Sequence, residues 1–431
     1  MTIETVTTPI DPPRRTRRTN PHPELSSQFD VKVGDTNGLH FLLGFLMVLD
    51  GQYVPGIWLP YAMVLVIIFV FVATWKAPVR RLAQWQWTAW VFVLLMIYVS
   101  VVSIVADSDS AAFAFSEVGG FDWARRALRI SIVIVFAFFV GTERLEHSAV
   151  LRGLGVGLVF NAACHYLYIS PHTYGIYLTG WLTDKNRAGL YYAVGGVLAQ
   201  AYIRRPFPRI LVGALTVAAT WATGSRTSMI AYAMGMVWVW IISRQIGPLR
   251  WLSAGVMMWF IQFWEENYSR IGEFADRAGS DWFRARIDAA SQLKLEGTPF
   301  QGLGLGQAYV TLDGDRWLFH NAYWTLLVEG GWIYCIGMVG LLVIVGLRPF
   351  SSGTRVYAEQ VAQGATVALL ICAWKLGEVF LTLPWALVFG LSLNLLLPKP
   401  KPDAEDSALQ RMIDESAWRL HARDRGSGRR G

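Results

Sequence analysis

Apolar segments long enough to cross a lipid bilayer alternate with short polar loops along most of this chain. A membrane-spanning helix needs roughly 20 predominantly apolar residues, and we count about twelve candidate segments. In chain order they are Gly38 to Leu49, Ile57 to Trp75, Trp87 to Ala106, Ala127 to Gly141, Ala149 to Ile169, Ala188 to Ile203, Ile210 to Gly224, Thr227 to Ser243, Trp251 to Trp264, His320 to Leu347, Val361 to Phe380 and Trp385 to Leu397. Since lipid leaves open backbone groups without partners, this pattern predicts an all-α polytopic membrane protein.

Three hydrophilic stretches interrupt or flank the apolar pattern. Residues 1–37 are rich in proline and arginine and lack an apolar core, which predicts a disordered cytoplasmic tail and no cleavable signal peptide. Residues 398–431 form a second charged tail, and residues 265–319 are the longest hydrophilic segment between apolar ones. The predicted organisation is therefore a membrane domain over residues 38–397, with one large loop ahead of His320.

Composition agrees with this class and excludes several others. Of 431 residues, 54% are hydrophobic and 16% are charged, against about 25% charged in soluble domains. The net charge of +7 comes from short loops and tails, which indicates contact with lipid headgroups and no nucleic-acid partner. The cysteines lack CxxC spacing and the histidines lack ligand spacing, so neither a disulfide framework nor a metal site is predicted.

The basic residues also predict an orientation. Alternate loops and both tails carry Lys and Arg, and by the positive-inside rule that side is cytoplasmic. The basic residues on that side are Arg14, Arg15, Arg17, Arg18, Lys76, Arg80, Arg81, Arg144, Arg152, Arg204, Arg205, Arg209, Arg244, Arg250, Arg348, Arg355, Lys399 and Lys401. Both termini are then cytoplasmic, while the 265–319 loop and His320 lie outside.

The predicted outer face is nevertheless rich in cations, which is unusual for that side. They are Arg125, Arg126, Lys185, Arg187, Arg226, Arg284 and Arg286. Arg226 stands between two apolar segments, where a charged group is costly and often functional. A guanidinium there suits an anionic headgroup or diphosphate, although an arginine reaching to the interface is the alternative. Lys185, Asn186 and Arg187 open the sixth segment, where unpaired backbone N–H groups favour anions.

The outer loop contains one predicted helix, Asp281 to Glu296, which is compatible with an amphipathic helix on the membrane surface. Trp282 and Phe283 would face lipid. Of Arg284 and Arg286, one would face the site and the other water. The GLGLG sequence that follows, at residues 302–306, lacks the strand–turn–helix frame of a nucleotide loop, and we reject that function.

The segment from Trp317 to Trp332 carries the most specific chemistry. A neutral His320 at an outer helix start could take a proton from an acceptor hydroxyl as a general base. Asn321 is predicted either to orient a sugar or to cap the helix. For Glu329, deeper in the same helix, a structural hydrogen bond to a neighbouring helix is favoured over a role as proton partner.

Lys375 and Glu378 lie three residues apart near the outer end of the eleventh segment. This spacing places them on one helix face. We favour a membrane-embedded ion pair, with a position in the wall of the site as the alternative.

Three motifs in this order resemble the O-antigen ligase and polymerase family of bacterial inner-membrane glycosyltransferases. They are SRTSM at residues 225–229, an arginine ahead of PFQGLGLGQ, and HNAYWTLLVEGGW at residues 320–332; the resemblance covers roughly residues 180 to 345. It implies a GT-C-like fold that transfers a glycan, with inversion, from an undecaprenyl-diphosphate carrier to an acceptor hydroxyl. No metal, cofactor or nucleotide sugar is implied.

Carried onto this sequence, the resemblance assigns Arg226 and Arg284 to the diphosphate and His320 to the acceptor. Arg286 is the alternative match for the loop arginine, because Asp288 stands where the family usually has an aromatic residue. Ligation of a finished chain and polymerisation of repeats both remain open. The main rival of another class is a secondary transporter, which predicts essential charges deeper in the membrane, such as Glu329.

Overall fold

The computed structural model describes residues 38–56, 59–75, 86–109, 123–141, 145–203, 205–268, 278–351, 353–354 and 356–396. This part of the chain is mostly helical. Its helices are α1 (Gly38–Leu46), α2 (Tyr61–Trp75), α3 (Gln86–Asp109), α4 (Trp123–Gly141), α5 (His147–Tyr166), α6 (Lys185–Ala199), α7 (Pro206–Ala222), α8 (Arg226–Trp240), α9 (Gly247–Tyr268), α10 (Ala278–Glu296), α11 (Ala322–Leu342), α12 (Tyr357–Lys375) and α13 (Leu383–Leu396).

Each predicted apolar segment overlaps one of these helices, and α10 is the helix predicted in the loop. The ends differ by a few residues: α4 begins at Trp123, ahead of Ala127, and α12 ends at Lys375, short of Phe380. Both predicted tails lie outside the described residues. So do several basic loop residues used for orientation, namely Lys76, Arg80, Arg81, Arg144, Arg204 and Arg355.

Among the described residues, two helices are long and apolar enough, by length and composition, to cross a membrane. Trp87–Ala106 in α3 has a mean hydropathy of 2.6, and Ala322–Leu347, which is α11 with its π-helical continuation, has 2.1. The α3 helix exposes apolar side chains at alternating spacings of four and three, including Trp90, Leu94 and Ile97. Such a stripe is typical of a surface that faces lipid or another apolar partner.

The described loop also contains a small β-hairpin, while the rest of the described structure is mostly helical and compatible with the all-α prediction. Strands β1 (Tyr309–Leu312) and β2 (Asp315–Leu318) pair antiparallel, with Leu312 opposite Asp315. Asp313 and Gly314 form the turn, with φ of 57° and 91°. Positive φ at both central residues matches the twist of the strands, and Asp-Gly is a strong sequence signal for this turn.

Helix α8 packs against α12 in an antiparallel pair with small residues at the contact. Gly235 lies against Ala368, and Trp238 Nε1 donates to Gln363 Oε1 at 3.1 Å, so later residues of α8 meet earlier residues of α12. Absent side chains at such glycines let two backbones approach closely. The start of α8 and the end of α12 therefore lie at the same end of the helices.

Helix α6 runs parallel to α8 and starts at that same end. Gly189 lies against Ser225 and Ser228, and Val197 lies against Gly235. We call this end, where α6 and α8 begin and α12 finishes, the histidine end, because His320 also lies there.

Candidate functional site

His320 precedes Asn321, the N-cap residue of α11, and is held by its neighbours on both sides. Asn321 caps the helix: its side-chain oxygen accepts from Tyr323 N at 2.9 Å and from Trp324 N at 3.2 Å. The capping interpretation of Asn321 is thus confirmed. Phe319, on the other side, is buried in a small apolar cluster with Ile287 and Val310. The imidazole itself remains 28% exposed.

Residues from two other segments, α10 and the end of α12, lie near His320. Asp288 Oδ1 on α10 lies 3.6 Å from His320 Nδ1. Arg284, one turn earlier on α10, donates from Nη2 to the Lys375 carbonyl at 2.8 Å, at the end of α12. We call Arg284, Asp288, His320 and Lys375 the histidine rim.

Gly377 fixes the distance between the segment after α12 and the backbone of His320. A Cβ atom at this position would collide with the Phe319 carbonyl and would lie 3.6 Å from His320 Cα. Only glycine permits so close an approach of two backbones. The same residue accepts from Thr325 Oγ1 at 3.3 Å, which ties this segment to α11.

The two arginines of α10 face different ways, as the sequence predicted. Arg284 is directed to the end of α12. Arg286 forms a two-point ion pair with Asp313 at the surface, at 3.0 and 3.1 Å, and stacks over Trp282. The hydrogen bonds from Arg286 lower the pKa of Asp313, and Asp313 raises the pKa of Arg286. Arg286 therefore does not join the other predicted site residues.

The prediction that Phe283 faces lipid is wrong. Its ring packs edge-on against Trp317 with 4.7 Å between the centroids, alongside the cluster that contains Phe319. The hairpin and the start of α11 together cover this side of α10. Trp282 is exposed.

A charged cavity lies next to the rim, bounded by the segment that contains Gly377. It is a small cavity that is partly open to solvent. Its ionisable side chains are Asp50, Arg126, Arg129, Arg187, Glu329 and Glu378, together with Tyr191. The three arginines and three carboxylates are formally balanced in charge.

Arg126 organises this cavity through two ion pairs. It contacts Glu329, whose side chain is 2% exposed, and its Nη1 lies 3.0 Å from Glu378 Oε1. Glu329 Oε1 also accepts from Gly306 N at 3.0 Å. Glu329 thus makes the predicted interaction with a neighbouring helix, since Arg126 lies on α4.

The prediction that Lys375 and Glu378 share one helix face is wrong. Helix α12 ends at Lys375, and Leu376 already has an extended backbone, so Glu378 lies beyond the helix. Glu378 pairs with Arg126 and lines the cavity, whereas the Lys375 carbonyl accepts from Arg284 on the rim. Both residues do line the site region, which is the alternative interpretation.

The start of α6 also differs from the prediction. The Asp184 side chain caps this helix by accepting from Asn186 N at 2.9 Å and Arg187 N at 2.8 Å, so these N–H groups already have partners. Arg187 turns into the cavity, where its Nη1 donates to the Asp50 carbonyl at 3.1 Å. Lys185 lies 5.6 Å from the ring of Tyr174, whose pKa burial and the nearby Asp184 raise to about 12.

Arg226 is the first residue of α8, is half-buried, and lies at the histidine end. It is not among the side chains that line the charged cavity. The backbone break before it comes from Gly224, with φ of 66°, and from the N-cap Ser225. The histidine rim and the charged cavity are thus two adjoining groups of side chains at the histidine end, where α6 and α8 begin.

Sequence reasoning assigned no site role to four of these residues, namely Asp50, Arg126, Arg129 and Asp288. Asp50 lies after the short first helix and gave no signal. Arg126 and Arg129 are three residues apart and should share a helix face, and Asp288 is four residues after Arg284. The sequence shows both spacings, but it does not show which distant residues these side chains contact.

Within the described residues, no group of three or more His, Cys, Asp or Glu side chains could hold a metal ion. Comparison with known protein families finds no family that matches this chain, and no curated protein matches it.

Proposed function

We propose that this chain is a polytopic membrane glycosyltransferase that moves a glycan from a polyprenyl diphosphate to an acceptor hydroxyl. About twelve helices would cross the cell inner membrane, with both termini cytoplasmic and the histidine end outside, in a GT-C-like arrangement. The apolar lengths of α3 and α11 and the exposed apolar stripe of α3 support a membrane location.

One observation carries the proposal: His320, Arg284 and the end of α12 meet, although they lie far apart in the sequence. Transfer from a diphosphate needs a base for the acceptor and cations for the leaving group. A half-exposed imidazole with a guanidinium on the adjoining segment provides both kinds of group. Arg226 begins its helix at the same end and adds a second guanidinium.

In the proposed step, the acceptor oxygen attacks the anomeric carbon of the donor glycan. His320 takes the hydroxyl proton as the new carbon–oxygen bond forms. The bond from the anomeric carbon to the diphosphate oxygen breaks, and its electron pair leaves with the diphosphate, which Arg226 and Arg284 stabilise. Attack opposite the leaving group inverts the configuration, and the proton on His320 then passes to water.

The test is transfer by the purified protein from a polyprenyl-diphosphate-linked glycan in EDTA. A general base contributes about 10²–10⁴-fold, so His320→Ala should reduce transfer by that factor. Arg226→Ala should reduce it by about 10²-fold through lost stabilisation of the leaving group. Glu296→Gln, at the far end of α10, is the matched control. Transfer that survives in both variants would exclude this mechanism, and loss of the parent's activity in EDTA would contradict metal independence.

The same donor chemistry serves ligation and polymerisation, and the product distinguishes them. A ligase adds one chain to a different acceptor, whereas a polymerase yields a ladder of repeats. The length distribution of labelled products from the same assay decides between the two activities.

A second candidate function, secondary transport, is favoured by the buried Arg126–Glu329 pair. Ionisable groups buried in membrane helices often mark a solute or proton path. In proteoliposomes, a transporter would take up a labelled anionic sugar, would lose uptake in Glu329→Gln, and would keep it in His320→Ala. The glycosyltransferase proposal expects no such uptake.

A further inference from the structure

The Nδ1 atom of His320 is a buried polar atom without a hydrogen-bond partner among the described residues. Asp288 Oδ1 is 3.6 Å from it, just outside the usual range of about 2.7–3.2 Å for an N–H···O hydrogen bond. Hydrogen bonds in empty active sites are often long and shorten when substrate binds. A small rotation of either side chain would close this contact.

The two residues are held in this relation by packing on both sides. Asp288 directly follows Ile287, and His320 directly follows Phe319; Ile287 and Phe319 belong to the same buried apolar cluster. Arg284, four residues before Asp288 on the same helix face, fixes α10 to the end of α12. The backbones of Asp288 and His320 thus keep a fixed distance without any direct bond between their side chains.

A carboxylate at Nδ1 has a definite chemical consequence. When Nδ1–H donates to a carboxylate, Nε2 of the neutral imidazole carries the lone pair and faces away from the carboxylate. The negative charge also stabilises the imidazolium that forms after proton transfer. These are the two requirements for a histidine that must accept a proton in one fixed direction.

We propose that Asp288 is the positioning residue of His320, accepting Nδ1–H and directing Nε2 toward the acceptor hydroxyl. This inference rests on the proposed function for the identity of the acceptor, but the pairing itself does not depend on it. Asp288 acts only through His320 and does not touch the reacting atoms.

The first test needs no activity. In protein with ¹⁵N-labelled histidine, the His320 resonances are assigned by their absence in His320→Gln. The parent should hold the proton on Nδ1, and Asp288→Ala should remove this single-tautomer signature, while Asp288→Glu should retain it. Glu296→Gln should leave the signal unchanged. An identical His320 signal in the parent and in Asp288→Ala would overturn the proposal.

The second test is kinetic and uses the transfer assay. Residues that orient an active group typically contribute about 10–100-fold. Asp288→Ala should lower kcat by that factor with little change in KM for the donor, and Asp288→Glu should recover most of the loss. An unchanged kcat, or no recovery by Glu in a variant that unfolds at the parent's temperature, would overturn the positioning role. If the parent transfers no glycan yet the tautomer depends on Asp288, the pairing stands and the proposed function fails.

Discussion

The charged cavity and the histidine rim contain similar side chains in different surroundings. In the cavity, Arg126 is matched by Glu329 and Glu378, and Glu329 is almost wholly buried. On the rim, His320 and Asp288 are 28% and 35% exposed, and Arg284 bonds a backbone carbonyl that a ligand oxygen can replace. Removing one partner of a buried ion pair is strongly destabilising, because the other charge is left buried and uncompensated. Half-exposed groups can instead bind a substrate.

The largest effect is expected on stability, when one side chain of a buried ion pair in the charged cavity is removed. Arg126→Leu leaves Glu329 buried without its counter-ion, and breaking a buried pair typically costs about 3–5 kcal/mol. The free energy of unfolding in detergent should fall by that amount. Adding Glu329→Leu should restore part of the loss, because the uncompensated charge is then gone. A single variant as stable as the parent would contradict the structural role of the pair.

Substitutions on the histidine rim should lower the transfer activity and leave the stability unchanged. The two arginines of α10 test this directly. Arg284→Ala should reduce transfer by about 10²-fold through lost stabilisation of the diphosphate. Arg286→Ala, two residues on, should change it by no more than a few-fold, since Arg286 pairs with Asp313 at the surface. Kinetics on both variants, with thermal unfolding as the control, decide the matter. The reverse ranking would make Arg286 the loop arginine.

Gly377 joins the two regions, so a change there should affect both. In Gly377→Ala the added methyl group meets the Phe319 carbonyl, and overpacking of this kind typically costs about 1–3 kcal/mol. The backbone shift should also move His320 and lower transfer by roughly tenfold, given the sensitivity of catalysis to misplacement. Gly155→Ala is the matched control, because a methyl group at that position would meet open space. Gly175 also has open space around it, but its φ of 62° would strain an alanine, so Gly175→Ala is an unsuitable control. Parent-like stability and activity would show that the two segments separate easily.

The sequence predicted the helices well because apolar periodicity is a local property of the chain. It also predicted the opposite directions of Arg284 and Arg286, since adjacent-but-one residues on a helix cannot share a face. It failed where partners come from distant segments. Nothing near Glu378 reveals that Arg126, 252 residues away, would be its counter-ion. The end of α12 at Lys375 was also hidden, because the apolar pattern continues to Phe380 while the backbone becomes extended.

The smallest effect is expected at the surface pair of Arg286 and Asp313. The folded state lowers the pKa of Asp313, so the pair adds stability above the unfolded-state pKa and loses it as pH falls through the lower folded-state value. Asp313→Asn removes the charge but keeps the turn, because Asn-Gly suits the same positive φ values. Amide exchange in the hairpin should then be a few-fold faster at neutral pH, and the difference should vanish in acid. A difference that persists below the folded-state pKa would mean that the turn, and not the ion pair, had been changed.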